Sequence, residues 1–436
     1  MRVEAISVSV RQRNQQSFFD VGSSSVHYFS DDSSLVIGTK KGGIHYYCHN
    51  QERNNAIGDN FNSVTDYCNK IEPSENRRDG WSELKARNYK TKYPIYSIAA
   101  AALSQKGTNS LPGGQNDIFI FCGSGDRWIS VWKVTNDDYN GNSRNENRST
   151  QTPLFEFVQK LGPHTGWVKA LVYDDKNRLL HSIGCNCIES WDCSRMNGDH
   201  LQRDDGDDPL IPISHIAKRT IENCPTIGTT LSSDLLCLCL VTSTVGSDDK
   251  LSRLLVSGGV DGRIHLWISD HTMKRKDDVS SFDGRTPLHT ILAHNSRVNA
   301  IVYSSAINTI FTVGNDGVLA VFRVSLDEGF ELISKLKIKD SSVESTSRLT
   351  AVSITKEVRK EKKCFLAVGA SNGEIYFIST EIENDGSIEC QLKSDHVTVE
   401  EGSMIYSLSC QENKGTKLSP RLWVGHATGL VALDIF

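Results

Sequence analysis

Five residues whose side chains could hold a metal crowd one stretch of the chain: His164, His181, Cys185, Cys187 and Cys193. Imidazole and thiolate are preferred donors for zinc. The spacing argues against such a site, because structural zinc is usually held by cysteine pairs about two to four residues apart, whereas a single residue separates Cys185 from Cys187. On a hairpin those two side chains are expected to diverge. These residues read as ordinary strand residues, and neither a metal nor a cofactor is expected. Covalent catalysis finds no better footing, for the chain has neither a Gly-x-Ser-x-Gly elbow nor a His-Glu-x-x-His pair. Gly123-Ser124-Gly125-Asp126 lies within a hairpin rather than between a strand and a helix, so it is not a phosphate loop. No catalytic residue is expected, and the chain is read as a non-enzyme.

Charge narrows the choice of partner. The 436 residues carry 53 acidic and 48 basic side chains, a net charge of -5, which gives no global field to hold a nucleic-acid backbone or an anionic membrane. The basic run Lys274-Arg275-Lys276 is followed at once by Asp277 and Asp278, and Lys356 to Lys363 interleaves Glu357 and Glu361. Both read as solvated loops. Nucleic acid is expected only indirectly, with a nucleic-acid-associated subunit as the alternative function and a hydrolase a more remote one. No apolar run reaches the roughly 20 residues that cross a bilayer. Single cysteines in apolar runs, such as Cys237 and Cys239, suit reduced thiols in a cytoplasmic or nuclear compartment.

The elements that must position any site come from a repeat. Its clearest copy is Leu254-Leu255-Val256-Ser257-Gly258-Gly259-Val260-Asp261-Gly262-Arg263-Ile264-His265-Leu266-Trp267. Asp-Gly supplies the left-handed backbone of a tight turn between two strands of period two, so this is a β-hairpin. Six other copies align on Lys41, Asp126, Asn186, Asp316, Asn372 and Thr428; Arg127 and Cys187 replace the glycine, so those two turns should differ in geometry. Upstream of each hairpin runs apolar-any-small-apolar, as in Val168-Lys169-Ala170-Leu171 and Val298-Asn299-Ala300-Ile301, the pattern of innermost strands converging on a channel. The first copy, aligned on Val26-His27-Tyr28-Phe29, has a large residue at the small position and reads as degenerate.

Trp191-Asp192, Val131-Trp132, Leu266-Trp267 and the loop histidines His164 and His294 resemble the WD40-repeat family over nearly the whole chain. The resemblance implies an all-β fold, a seven-bladed β-propeller, with spacings stretched by loop insertions. It also implies a hydrogen-bonded set of loop His, second-strand Ser or Thr, turn Asp and third-strand Trp. No copy carries all four: His294, Thr312 and Asp316 lack the tryptophan, replaced by Phe322, and Ser257, Asp261 and Trp267 lack the histidine. The last copy ends after its third strand, so residues Val3 to Val10 are expected to pair with it and close the ring. The whole chain is then one domain, with polar insertions near 48–93, 104–116, 136–152 and 193–230 read as surface loops.

In that family, partners dock on the face that carries the loops before the inner strands. The matching positions here are Trp167, Arg297 and Arg348 just before a strand, and Tyr96, Lys169 and Tyr406 two places on. Aromatic and arginine side chains are the types that dominate interfaces. The expected function is a scaffold or adaptor that docks other proteins, including acidic or phosphorylated segments, within a larger complex.

Overall fold

The computed structural model describes residues 3–4, 23–29, 34–49, 81–85, 92–103, 117–135, 154–193, 196, 218–219, 233–245, 250–269, 287–326, 328–338, 347–383, 387–399, 401–411 and 421–435. The protein is an all-β propeller. Six four-stranded sheets are each made of consecutive strands. In chain order they are β2 (Ser23–Phe29), β3 (Ser34–Thr39), β4 (Ile44–His49) and β5 (Trp81–Lys85); then β6 (Ile95–Leu103), β7 (Asp117–Ser124), β8 (Ile129–Thr135) and β9 (Leu154–Leu161). Next come β10 (Val168–Asp174), β11 (Leu179–Gly184), β12 (Cys187–Asp192) and β13 (Lys218–Arg219), followed by β14 (Leu235–Val245), β15 (Lys250–Gly259), β16 (Arg263–Ile268) and β17 (His289–Leu292). The last two are β18 (Val298–Ser304), β19 (Thr309–Gly314), β20 (Val318–Ser325) and β21 (Gly329–Lys337), and β22 (Leu349–Val358), β23 (Lys363–Ala370), β24 (Glu374–Ile382) and β25 (Ile388–Thr398).

The copies counted in the sequence and the contiguous blades therefore differ in number. The final copy supplies only β26 (Ile405–Gln411), β27 (Arg421–His426) and β28 (Gly429–Ile435), and its fourth strand is β1 (Val3–Glu4), paired through Val3 with Ile435 and Glu4 with Asp434. Residues 5–10, also expected to pair there, lie outside the described residues. Inner strands pack one on the next around a circuit, β2 on β6, β6 on β10 and so on to β22 on β26, which returns to β2. Apolar side chains fill each junction. Phe121, Ile129 and Val131 pack with Val168, Leu180 and Trp191, and Leu35 and Ile37 meet Trp423 and Ala432 where the two ends of the chain come together. A fully buried side chain of this size stabilises by about 1.5–3 kcal/mol relative to exposure, so these interfaces rather than the loops hold the ring.

Three expectations change. The insertions at 48–93 and 193–230 are not wholly loop, because they contribute the outer strands β5 and β13, which pair with β4 and β12. Short edge strands carry too little apolar pattern to be distinguished from loop. The insertions at 104–116 and 136–152 lie outside the described residues. In the first sheet the register is three residues earlier than the sequence alignment placed it: Ser25, buried and opposite Gly38, holds the small position, where Ser97 opposite Gly123 stands in the next sheet. That blade is not degenerate at this position.

The turn at Asp126-Arg127 also departs from expectation. Arg127 takes φ of 72°, the conformation that Gly42, Gly262, Gly317 and Gly373 take at 80°, 79°, 73° and 89°, so its geometry matches the glycine turns. Two hairpins differ: the third is a two-residue loop in which Cys185 takes the positive φ, at 57°, and the last is a two-residue loop closed by the pair His426 and Gly429, whose glycine is not in the left-handed region. An arginine side chain in the left-handed region clashes with its own backbone. Arg127→Gly should therefore stabilise the protein by about 0.5–1 kcal/mol, read as a higher denaturant midpoint at unchanged slope; a lower midpoint would show that the side chain contributes more than its backbone costs.

Candidate docking face

One local device recurs at the start of every inner strand. The pairing with the second strand skips a residue between Ser23 and Ser25, Ile95 and Ser97, Val168 and Ala170, Leu235 and Cys237, Val298 and Ala300, Leu349 and Ala351, and Ile405 and Ser407. A bulge of this kind frees one residue from the ladder and re-aims its side chain. The freed residues are Ser24, Tyr96, Lys169, Leu236, Asn299, Thr350 and Tyr406. Tyr96, Lys169 and Tyr406 thus stand where the backbone itself turns side chains towards one rim. In the first sheet Ser24, not His27, occupies this position.

The residue before five of these strands is fixed as well. Its carbonyl accepts a hydrogen bond from the second-to-third-strand turn: Gly125 N–H to Pro94, Val260 to Asp234, Asn315 to Arg297, Ser371 to Arg348 and Ala427 to Met404. The backbones of Arg297 and Arg348 are therefore anchored while their side chains are exposed. Trp167 stands outside this pattern, since the turn carbonyl of Cys185 accepts instead from Leu235 N–H of the next sheet.

Of the six predicted residues, three meet directly. The Tyr96 and Trp167 rings stack with centroids 5.7 Å apart and planes 19° from parallel, and the Lys169 ammonium lies 4.1 Å from the Tyr96 centroid and 4.5 Å from that of Trp167. Cation–π attraction of about 0.5–2 kcal/mol holds such a lysine in place. Trp167 remains 53% exposed. Burial lowers the Lys169 pKa, and the positive charge of Arg297 lowers it further, against the opposing pull of Asp234 and the Cys185 thiol. The fourth residue, Arg297, thus acts on the same electrostatic field, opposed there by Asp234. Tyr406 lies elsewhere on the rim, with Lys40 donating to its hydroxyl at 2.6 Å and lying 4.1 Å from its ring centroid. Lys40 escaped the sequence reading because it precedes the turn position of the first hairpin rather than an inner strand. Arg348 stands apart, exposed at the head of β22.

Beneath the rim, polar sets brace the hairpins. Trp267 Nε1 donates to Ser257 Oγ at 2.9 Å, and His294 bonds Thr312 Oγ1 at 2.9 Å and Asp316 Oδ1 at 3.0 Å while Phe322 fills the tryptophan position. In the third sheet His164 Nε2 lies 2.9 Å from Ser182 Oγ, which accepts from Trp191 Nε1 at 2.7 Å. The five residues grouped by sequence proximity divide here. His164 and Cys187 converge with Glu189, whereas His181 turns to Ser190 and Ser269, and Cys193 Sγ donates to Trp191 O.

The chain matches no protein-family model and no curated protein. Among the described residues no helix is long and apolar enough to cross a membrane. The class of protein these observations define is an all-β propeller with a bulge-built rim.

Proposed function

We propose that this chain is a seven-bladed WD40-type propeller acting as a non-catalytic adaptor, and that it docks other proteins on the rim carrying Tyr96, Trp167, Lys169, Arg297, Arg348 and Tyr406. The observation that carries this reading is the Tyr96–Trp167–Lys169 stack beside Arg297. A half-exposed indole held rigid by a stacked tyrosine and a bound ammonium presents flat apolar area at little entropic cost, and the adjoining cations supply polar recognition. An enzyme would instead need convergent acid–base or nucleophilic groups in a pocket. Affinity capture from a cell extract should recover partners with the wild-type chain and lose them with Trp167→Ala/Arg297→Glu. Equal recovery with both proteins overturns the choice of face.

A further inference from the structure

We propose that His164, Cys187 and Glu189 form a zinc-binding site inside the third sheet, beneath the loop that leads into β10. The three side chains are buried, and their donor atoms lie within 4.8 Å of one another. His164 Nδ1 is 3.7 Å from Glu189 Oε2. In a tetrahedral zinc site with bonds of about 2.0–2.3 Å, donors stand roughly 3.3–3.8 Å apart, so the imidazole and carboxylate already have the required separation and no donor pair exceeds it by more than about 1 Å.

Local structure explains the convergence. Cys187 and Glu189 are two apart on β12, so the period of a strand puts both on one face. His164 descends on them from the preceding loop, and it packs so closely on Gly184 that a Cβ there would stand 2.6 Å from Nδ1. Ser182 sets the orientation of the ring. Its hydroxyl proton goes to the Glu189 carbonyl at 3.2 Å, and its oxygen accepts from Trp191 Nε1. The contact of His164 Nε2 with that oxygen, at 2.9 Å, fixes the ring so that Nδ1 faces the Glu189 carboxylate. An imidazole nitrogen and a carboxylate oxygen at this separation can share either a proton or a metal ion. A hydrogen bond that fixes the far nitrogen is also how metal-binding imidazoles are commonly oriented.

Charge favours zinc. On binding, the Cys187 thiol, which now donates to Gly184 O at 3.1 Å, releases its proton to solvent. Thiolate, carboxylate and neutral imidazole then balance the dication, so the buried site carries no net charge. Thr165, exposed and with Oγ1 3.8 Å from Cys187 Sγ, marks the side from which solvent reaches a fourth coordination position.

The test uses the full chain, unfolded and refolded with zinc chloride and then desalted. Elemental analysis should find one zinc per chain, and thermal unfolding should move upward with zinc and back with a chelator. Cobalt chloride in place of zinc should give the near-ultraviolet thiolate-to-cobalt band and the visible absorption of a tetrahedral site. Glu189→Gln, which preserves shape, should weaken zinc at least ten-fold in competition with a chromophoric chelator, and Cys187→Ser should abolish the thiolate band. A refolded wild-type chain that retains no zinc overturns the proposal and leaves an imidazolium–carboxylate pair. One equivalent of zinc held equally by wild type and both variants overturns it as well, by placing the metal elsewhere.

Discussion

Asp174→Ala should destabilise the protein by about 3–5 kcal/mol, the largest stability effect we expect from a single side chain. Asp174 is fully buried at the end of β10, and its carboxylate accepts from Arg253 Nη1 at 2.5 Å, Lys176 N–H at 3.1 Å, Asn177 N–H at 3.2 Å and Asn177 Nδ2 at 2.9 Å. Arg253 belongs to β15, so the bond ties the third sheet to the fourth. Ser269, after β16, extends the tie, with Oγ 3.0 Å from His181 Nε2 and 3.4 Å from Asp174 Oδ2, and His181 Nδ1 reaches Ser190 Oγ at 2.8 Å. Alanine would leave a largely buried guanidinium and several donors without their acceptor, and the cost of such orphaned groups exceeds the net gain of making the bonds. Asp175 is the internal control. It also meets Arg253, at 2.8 Å, but its side chain is 82% exposed, so Asp175→Ala should cost less than about 1 kcal/mol. Urea unfolding of the three proteins measures the difference. Equal midpoints for the two variants would show that the buried bond adds nothing to the seam.

The seam illustrates what could be read in the sequence. Asp174 and Arg253 stand in different repeats, 79 residues apart, and no period relates them. The hairpins, by contrast, are legible because in four of them a glycine takes the positive φ after the aligned turn position, at Gly42, Gly262, Gly317 and Gly373, and so marks the register. Arg127 shows the same conformation enforced by the surrounding sheet on a residue that disfavours it. The first inner strand was misplaced for a physical reason: Ser23-Ser24-Ser25 offers no apolar residue to a hydrophobic pattern, yet Ser25 is buried, its hydroxyl donating to Ile95 O at 3.3 Å. At the rim, a constant offset from each strand start found Tyr96 and Lys169, and the bulge explains why that offset works. Trp167 was found as the preceding residue. Glu189 does not stand out by residue type, since carboxylates are common on solvated strand faces, although it alternates with Cys187 along the same strand.

The largest binding effect should come from reversing charge on the rim. For an extended acidic peptide carrying one aromatic or aliphatic anchor, Arg297→Glu/Arg348→Glu should weaken binding by about 2–5 kcal/mol, roughly 30- to 4,000-fold. Trp167 and Lys169 belong to the third sheet, Arg297 to the fifth and Arg348 to the sixth, so one ligand engages them all only by crossing the mouth of the channel. An extended chain spans about 3.3 Å per residue and can do so. Both guanidiniums are exposed in the unbound protein, so the size of the loss reports how far the peptide dries them: contacts left on a wet rim are worth less than about 1 kcal/mol. Lys169 should respond in the same experiment. Binding places a carboxylate or phosphate beside an ammonium whose pKa burial and Arg297 have lowered, so that pKa should rise on binding in the wild type. Lys363→Glu, at a half-buried lysine paired with Glu381 at the end of β23 opposite the rim turn, changes net charge without touching the rim and should leave affinity within about two-fold at physiological salt. Affinity for the acidic peptide that survives the double reversal at that salt would remove the arginines from the binding surface and leave the aromatic stack to act alone.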